Sequence, residues 1–359
     1  MIRFCICALM LMMCASLVQA ATGFRQITLD SQGNRPLNVA FWYPTAGTGV
    51  FKDVGENPVF YGESMLRNAT PRPGQHPLVL LSHGYGGSWR NLNWLAHALT
   101  VRGYIVAAPN HPGTTTENRD PATARKLWLR PDDISRVVDR LLADEHLAGK
   151  VDSLRIAAIG HSLGGWTVME LIGARFSSNR FVQDCQNHAQ LADCQLIETL
   201  GISNTNTASL LDAQLRNPRI KAAVSLDLGL ARGFTPESLA RVSVPVLVLS
   251  AEQDSVELPA SLVSGYLAQY LPPQQTSFSR IRGATHFSFM QRCKPHGAEL
   301  IEQSSPGEGF VCRDQGSRTR ADIHQELIAR ITRFLTAALN PPADEMHSAS
   351  VRKCVKTRD

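Results

Sequence analysis

The sequence predicts an α/β fold: a mostly parallel, doubly wound sheet carrying an inserted cap or lid segment. Three observations lead there. Strand-like apolar runs alternate with stretches whose apolar residues recur at helical spacing, from residue 77 to residue 339. Several of those runs, such as 77–82, are continuously apolar, as in strands covered on both faces. The rhythm breaks over residues 173–218, which are polar, rich in Asn, Gln and Ser, and long for a plain connection.

Taken in order, 37–43 reads as a strand stopped by Pro44, paired in a hairpin with 24–29, and 45–75 as loop. Strand 77–82 precedes a helix over 92–101, ended at Arg102-Gly103, and then strand 104–108 stopped by Pro109. After a polar loop over 110–121 comes a helix over 131–145. Asp132 and Asp133 occupy its first turn, where acids suit the helix dipole, and Ile134, Val137, Val138, Leu141 and Leu142 form one apolar face. The short run 154–159 is a strand, followed by a helix with Trp166, Val168, Met169, Leu171 and Ile172 at helical spacing. Beyond the insertion, strands are expected at 220–226, 244–249 and 276–281, with helices at 236–241, 258–270 and 322–339.

The two ends read differently. Residues 1–20 have the layout of a signal peptide: Arg3 in the n-region, an apolar run from Phe4 to Val18, and small residues at Val18 and Ala20. The run is too short for a transmembrane span, so the protein is expected to be exported (periplasmic or secreted) after cleavage near Ala20. Residues 21–339 then form one domain with 173–218 as its cap, and 340–359 read as a disordered tail.

The net charge of +5 over 359 residues is mild and interleaved. No basic stripe with aromatics is present, so nucleic acid is not an expected partner. Of the eight cysteines, three lie in the first twenty residues. Four of the remainder form two local pairs, and disulfides Cys185–Cys194 and Cys293–Cys312 are expected in an exported chain, with Cys354 left over. A metal site at Cys185, His188 and Cys194 matches no familiar ligand spacing.

The chemistry-bearing motif is Gly160-His161-Ser162-Leu163-Gly164, a G-x-S-x-G placed where a strand should end and a helix begin. A serine on that turn is held in a strained conformation with its hydroxyl projecting above the sheet. It needs a base, because a serine hydroxyl is a poor nucleophile at neutral pH. Among the 11 histidines, His286 in Gly283-Ala284-Thr285-His286-Phe287 follows a strand and precedes the last helix, the place of the base in the chain order Ser…Asp…His. His161 reads as a structural donor, whereas His83 and His111 lie on strand-end loops where they could line the site. Two acids can orient the imidazole: Asp254, in the turn after strand 244–249, and, as the alternative, Asp227 at the end of the preceding strand. The oxyanion donors are expected to be the backbone N–H groups of Leu163, directly after the serine, and of Tyr85, in the glycine-rich loop His83-Gly84-Tyr85-Gly86-Gly87. Tyr85, Trp89, Phe287 and Phe289 either suit an apolar acyl group or fill the core.

With these residues in place the chain, over about residues 24–339, resembles the α/β-hydrolase superfamily. Within it, the chain looks like bacterial proteins labelled predicted dienelactone hydrolases and like the secreted platelet-activating-factor acetylhydrolase group. The stretch ending Leu226-Asp227 is similar to the strand that carries the acid of that second group. The turn Ala251-Glu252-Gln253-Asp254-Ser255 instead resembles bacterial cutinase-like polyester hydrolases, whose acid lies in that turn. Both acids therefore stay open. True dienelactone hydrolases carry a cysteine at the elbow, where this chain has Ser162. The resemblance implies a serine esterase of lipase-like type, acting on a short-acyl or lipid-like ester without cofactor or metal. A peptidase or amidase on the same fold, or a non-catalytic binding protein, are the alternatives.

Overall fold

The computed structural model describes residues 21–252, 259–314 and 317–340. The expected signal peptide, Asp254 and nearly all of the expected tail lie outside the described residues. Ten strands form one sheet: β1 (Ala21–Leu29), β2 (Leu37–Thr45), β3 (Lys52–Val54), β4 (Glu63–Arg67), β5 (Gln75–Ser82), β6 (Ile105–Pro109), β7 (Lys150–His161), β8 (Ala222–Leu226), β9 (Val246–Ala251) and β10 (Thr276–Ile281). Their order across the sheet is β10-β9-β8-β7-β5-β6-β2-β1-β4-β3. From β6 to β10 all neighbours are parallel, and β2 joins that block antiparallel to β6.

The hairpin expected at the N-terminal end forms, with Phe24 opposite Trp42. Residues 45–75, expected as loop, contain β3 and β4. Here β4 adds to the edge of β1 through a parallel pairing of Gly23 with Leu66. Those strands are too short, at three and five residues, to show a period in sequence.

The helices are α1 (Asn93–Thr100), α2 (Pro121–Ala124), α3 (Leu129–Ala143), α4 (Leu163–Leu171), α5 (Ser178–Asn187), α6 (Ala208–Leu211), α7 (Pro236–Leu239), α8 (Ser264–Tyr270), α9 (Gly297–Ser304) and α10 (Arg320–Leu339). The last shows why such segments are helical. Thr319 and Asp322 cap its start reciprocally, and Ile323, Leu327, Ile331, Leu335 and Leu339 form a buried stripe at helical spacing. That stripe packs with α1 in a core cluster on one face of the sheet; α3, α4 and α8 fill a second cluster on the other. The strands between them are buried on both faces, which is why they read as continuous apolar runs.

From β5 the chain steps to β6 on one side, then returns to place β7 on the other. Such a reversal opens a crevice at the carboxyl ends of the two central strands. Ser82 ends β5 and His161 ends β7, so the glycine-rich loop and the serine turn meet at that crevice.

Candidate active site

Ser162 stands between β7 and α4 with φ 54° and ψ −121°, a conformation costly for a residue with a side chain. The turn is held by close approach as well as by hydrogen bonds. A Cβ on Gly160 would sit 1.9 Å from the carbonyl oxygen of Gly164, and one on Gly164 would sit 1.9 Å from that of Ser82. Only glycine fits either place. The Ser162 N–H donates to Leu226 O at 3.0 Å, fixing the turn to β8.

His286 follows β10 in a short 3-10 turn over His286–Phe289. Its Nδ1 hydrogen-bonds to Asp227 Oδ2 at 2.7 Å. Asp227 directly follows β8, is buried, and like Ser162 has a positive φ, here 44°. Its other oxygen accepts from the Ala251 N–H at 2.9 Å. Burial pushes the Asp227 carboxyl up, but the hydrogen bond and charge of His286, together with the Ala251 N–H, outweigh it and hold the group below its ordinary value.

The segment carrying His286 is anchored on all sides. Trp94 Nε1–H donates to Phe289 O at 3.1 Å, His324 Nε2–H reaches Met290 O at 2.9 Å, and Arg320 donates to Gln291 O at 3.1 Å. Glu252 accepts from the Gly283 N–H at 2.8 Å. His161, next to the serine, donates Nε2–H to the His286 carbonyl at 2.9 Å. Burial, helped by the nearby His286, lowers the His161 imidazole to about 3, so it stays neutral and keeps one acceptor nitrogen.

On the β5 side, the Gly86 N–H donates to Thr114 O and the Gly87 N–H to Gly84 O, whereas the Tyr85 N–H has no protein partner among the described residues. Leu163 opens α4, so its N–H belongs to the first turn, which has no partner within the helix. Tyr85, Ser162, Leu163 and His286 line one cleft of about 360 Å³. The two disulfide-closed segments contribute to its walls. Ala192 and Leu196 lie in and beside the loop closed by Cys185–Cys194; Phe310 and Val311 lie in the loop closed by Cys293–Cys312. Phe310 meets Phe287 edge-on at 5.2 Å, and Phe287 in turn meets His286.

A model of the Alpha/beta hydrolase family matches residues 78–296, which include Tyr85, Ser162, Asp227 and His286. The chain belongs to the alpha/beta hydrolase family. Cutinase est2 of Thermobifida alba is 22% identical over 216 residues, covering 58% of this chain and 52% of that protein. Cutinase 1 of Thermobifida cellulosilytica is 22% identical over 214 residues, covering 58% of this chain and 60% of that protein. The chain thus spans about half the length of the curated relatives it matches. The solved structure of a ferulic acid esterase from Streptomyces cinnamoneus has the same fold, with a TM-score of 0.60 at 19% identity over 90% of this chain and 91% of that one.

In this member of the family the sequence-predicted Ser162, Leu163, Tyr85 and His286 come together, and the carboxylate on the imidazole is that of Asp227. One expectation needs correction, and three further readings are resolved or extended. His83 and His111 do not line the cleft: both are buried beneath the loop, and burial pushes both imidazoles well down. Trp89 and Phe289 belong to the core, while Tyr85 and Phe287 line the cleft. Asp133 does more than face the helix dipole; it is fully buried and takes Arg35 at 2.7 Å and His111 Nδ1 at 3.0 Å. Both expected disulfides, Cys185–Cys194 and Cys293–Cys312, are present, and the first removes Cys185 and Cys194 as thiolate ligands.

Sequence reasoning also missed two buried arginines. Arg232 ties Asp193 and Asp184 of the insertion to the loop after β8. Arg130 lies under the glycine-rich loop. The signal for Arg130 was there: it precedes Ile134, Val137 and Leu141 on one helical stripe, an odd place for a charge.

Proposed function

We propose that this alpha/beta hydrolase is an exported serine carboxylester hydrolase acting on short-acyl or lipid-like esters. Ser162 Oγ attacks the ester carbonyl while His286 Nε2 takes its proton; Asp227 holds the Nδ1–H tautomer and stabilises the imidazolium that forms. The Tyr85 and Leu163 amides receive the oxyanion. His286 returns the proton to the leaving alcohol, and water then releases the acyl group by the same steps in reverse.

The observation that carries this reading is the pairing of His286 Nδ1 with buried Asp227 at 2.7 Å, on a histidine that shares its cleft with a strained serine. The relatives are named cutinases and the fold neighbour a ferulic acid esterase, which supports an ester as substrate. The cleft of about 360 Å³ is at the small end for ligand sites and favours a short acyl group. Residues 173–218 supply Ala192, Asp193 and Leu196 to its wall, as a cap would. Export is supported by the leader-like residues 1–20 and the two disulfides.

The test is hydrolysis of p-nitrophenyl acetate, butyrate and palmitate by the protein and by Ser162→Ala. The expected result is a fall of ~10⁴-fold or more in kcat for the variant, with acetate and butyrate preferred over palmitate. A folded variant as active as the parent would refute the assignment of the serine.

A further inference from the structure

Arg130 is buried and its guanidinium makes hydrogen bonds to neutral oxygens alone among the described residues. Nε–H donates to Thr167 Oγ1 at 3.0 Å, one terminal nitrogen to Thr114 Oγ1 at 2.6 Å, and the other to Ser82 Oγ at 3.3 Å and to the His83 carbonyl. The acid whose charge acts on it, Asp133 on the same helix, spends its oxygens on Arg35, Arg136 and His111. Burial lowers the Arg130 guanidinium to about 9, against the pull of the Asp133 charge. A desolvated charge without a carboxylate of its own is expensive and a poor choice for stability alone.

Its acceptors explain the choice. Thr167 lies one turn along α4 from Leu163 and donates to the Leu163 carbonyl at 3.2 Å. The His83 carbonyl belongs to the peptide that leads into Gly84 and Tyr85. The planar guanidinium therefore bridges the two elements that bear the two oxyanion donors, one on the nucleophile helix and one on the glycine-rich loop. Thr114, its third partner, also receives the Gly86 N–H on its backbone oxygen.

We propose that Arg130 is a positioning residue for the oxyanion site, its guanidinium fixing the separation of the Tyr85 and Leu163 amides by tying the His83 carbonyl to Thr167. This rests on the esterase reading of the same cleft. Donor placement is where such a bridge has leverage, because a displacement of about 1 Å in a reacting geometry can cost ~10²-fold in rate. Lysine keeps the charge but lacks the fixed fork needed to hold both elements at once.

The experiment compares the parent with Arg130→Lys, Thr167→Val and Ser162→Ala. Kinetics are measured on p-nitrophenyl butyrate, with inhibition by an alkyl trifluoromethyl ketone. In that inhibitor complex Ser162 Oγ bonds to the ketone carbon, the hydroxyl proton passes to His286, and the carbonyl oxygen becomes an oxyanion. For Arg130→Lys the expected kcat falls ~30- to 100-fold with KM within about threefold. The ketone Ki should rise by the same factor as kcat/KM falls, and the midpoints of the pH–rate profile should not move, since the His286–Asp227 pair is untouched. Thr167→Val should show the same pattern at ~3- to 10-fold.

A folded Arg130→Lys with kcat within about threefold of the parent, or with an unchanged ketone Ki, overturns the proposal. If Arg130→Lys does not fold, Thr167→Val decides, and unchanged kcat and Ki in that variant overturn it. Ser162→Ala separates the two levels: if it is as active as the parent, the esterase reading has failed rather than the role of Arg130.

Discussion

Asp227→Asn against Asp254→Asn is the sharpest test of the site. The Asp227 carboxylate accepts from the His286 ring on one oxygen and from the Ala251 N–H on the other. An isosteric amide can satisfy one of these. If its oxygen stays on Ala251, its NH₂ faces Nδ1 and forces the tautomer whose Nε2 already carries the proton, so His286 cannot accept from Ser162. If it flips, a buried NH₂ meets the Ala251 N–H, two donors face to face, at a cost of about 1–3 kcal/mol. Either way the imidazolium loses its counter-charge. The expected fall in kcat is ~10³- to 10⁴-fold, or about 4–5.5 kcal/mol of barrier. Initial rates on p-nitrophenyl butyrate, with circular dichroism to establish folding, measure it. Asp254→Asn should remain within about threefold of the parent. The reasoning is refuted if folded Asp227→Asn retains at least a tenth of the parental kcat (about 1.4 kcal/mol) while Asp254→Asn loses more.

The buried histidines set an acid limit on stability, and the disulfides set another. His83, His111, His161 and His324 all have lowered folded-state values, with His161 and His324 held to about 3, burial being the main cause in each. Below the unfolded value near 6.5 the unfolded chain binds more protons, so stability is full above that pH and falls by ~1.4 kcal/mol per unit for each such histidine. Urea midpoints should therefore drop from pH 7.5 to 5.5. His324→Gln, which keeps a donor for Met290 O, should reduce the drop by about 1–1.5 kcal/mol; an unaltered slope would exclude His324 as a source. Cys293→Ser with Cys312→Ser opens a bridge between residues 19 apart. It should cost ~3 kcal/mol in urea unfolding and raise KM more than it lowers kcat, because Phe310 and Val311 form cleft wall rather than reacting groups. A change confined to kcat would contradict that placement.

Much of this molecule was legible in one dimension because its signals are local. The elbow needs glycines within five residues of Ser162, and Gly160 and Gly164 are there because a carbonyl lies 1.9 Å from where each Cβ would be. The central strands declare themselves by being apolar on both faces, and α10 by its stripe and its Thr319 cap. The two disulfides join cysteines 9 and 19 residues apart, near enough to be paired by inspection.

What the chain could not declare are choices between distant, chemically equal partners. Asp227 and Asp254 both follow strands that end beside His286, and no periodicity distinguishes them; the hydrogen bond from His286 to Asp227 spans 59 residues and exists only once β8 and β10 flank β9. The same holds for Arg130, whose acceptors on the glycine-rich loop and on α4 lie 47 and 37 residues away, and for Phe310, brought to Phe287 by a disulfide. By itself the sequence determined the central strands and the long helices, their order and the residue types the chemistry requires, since backbone preference and burial pattern are properties of neighbours along the chain. Which carboxylate meets the imidazole, and which charge lies beneath the glycine-rich loop, was decided by the tertiary structure, because direction and distance between strands are set by sheet order and packing.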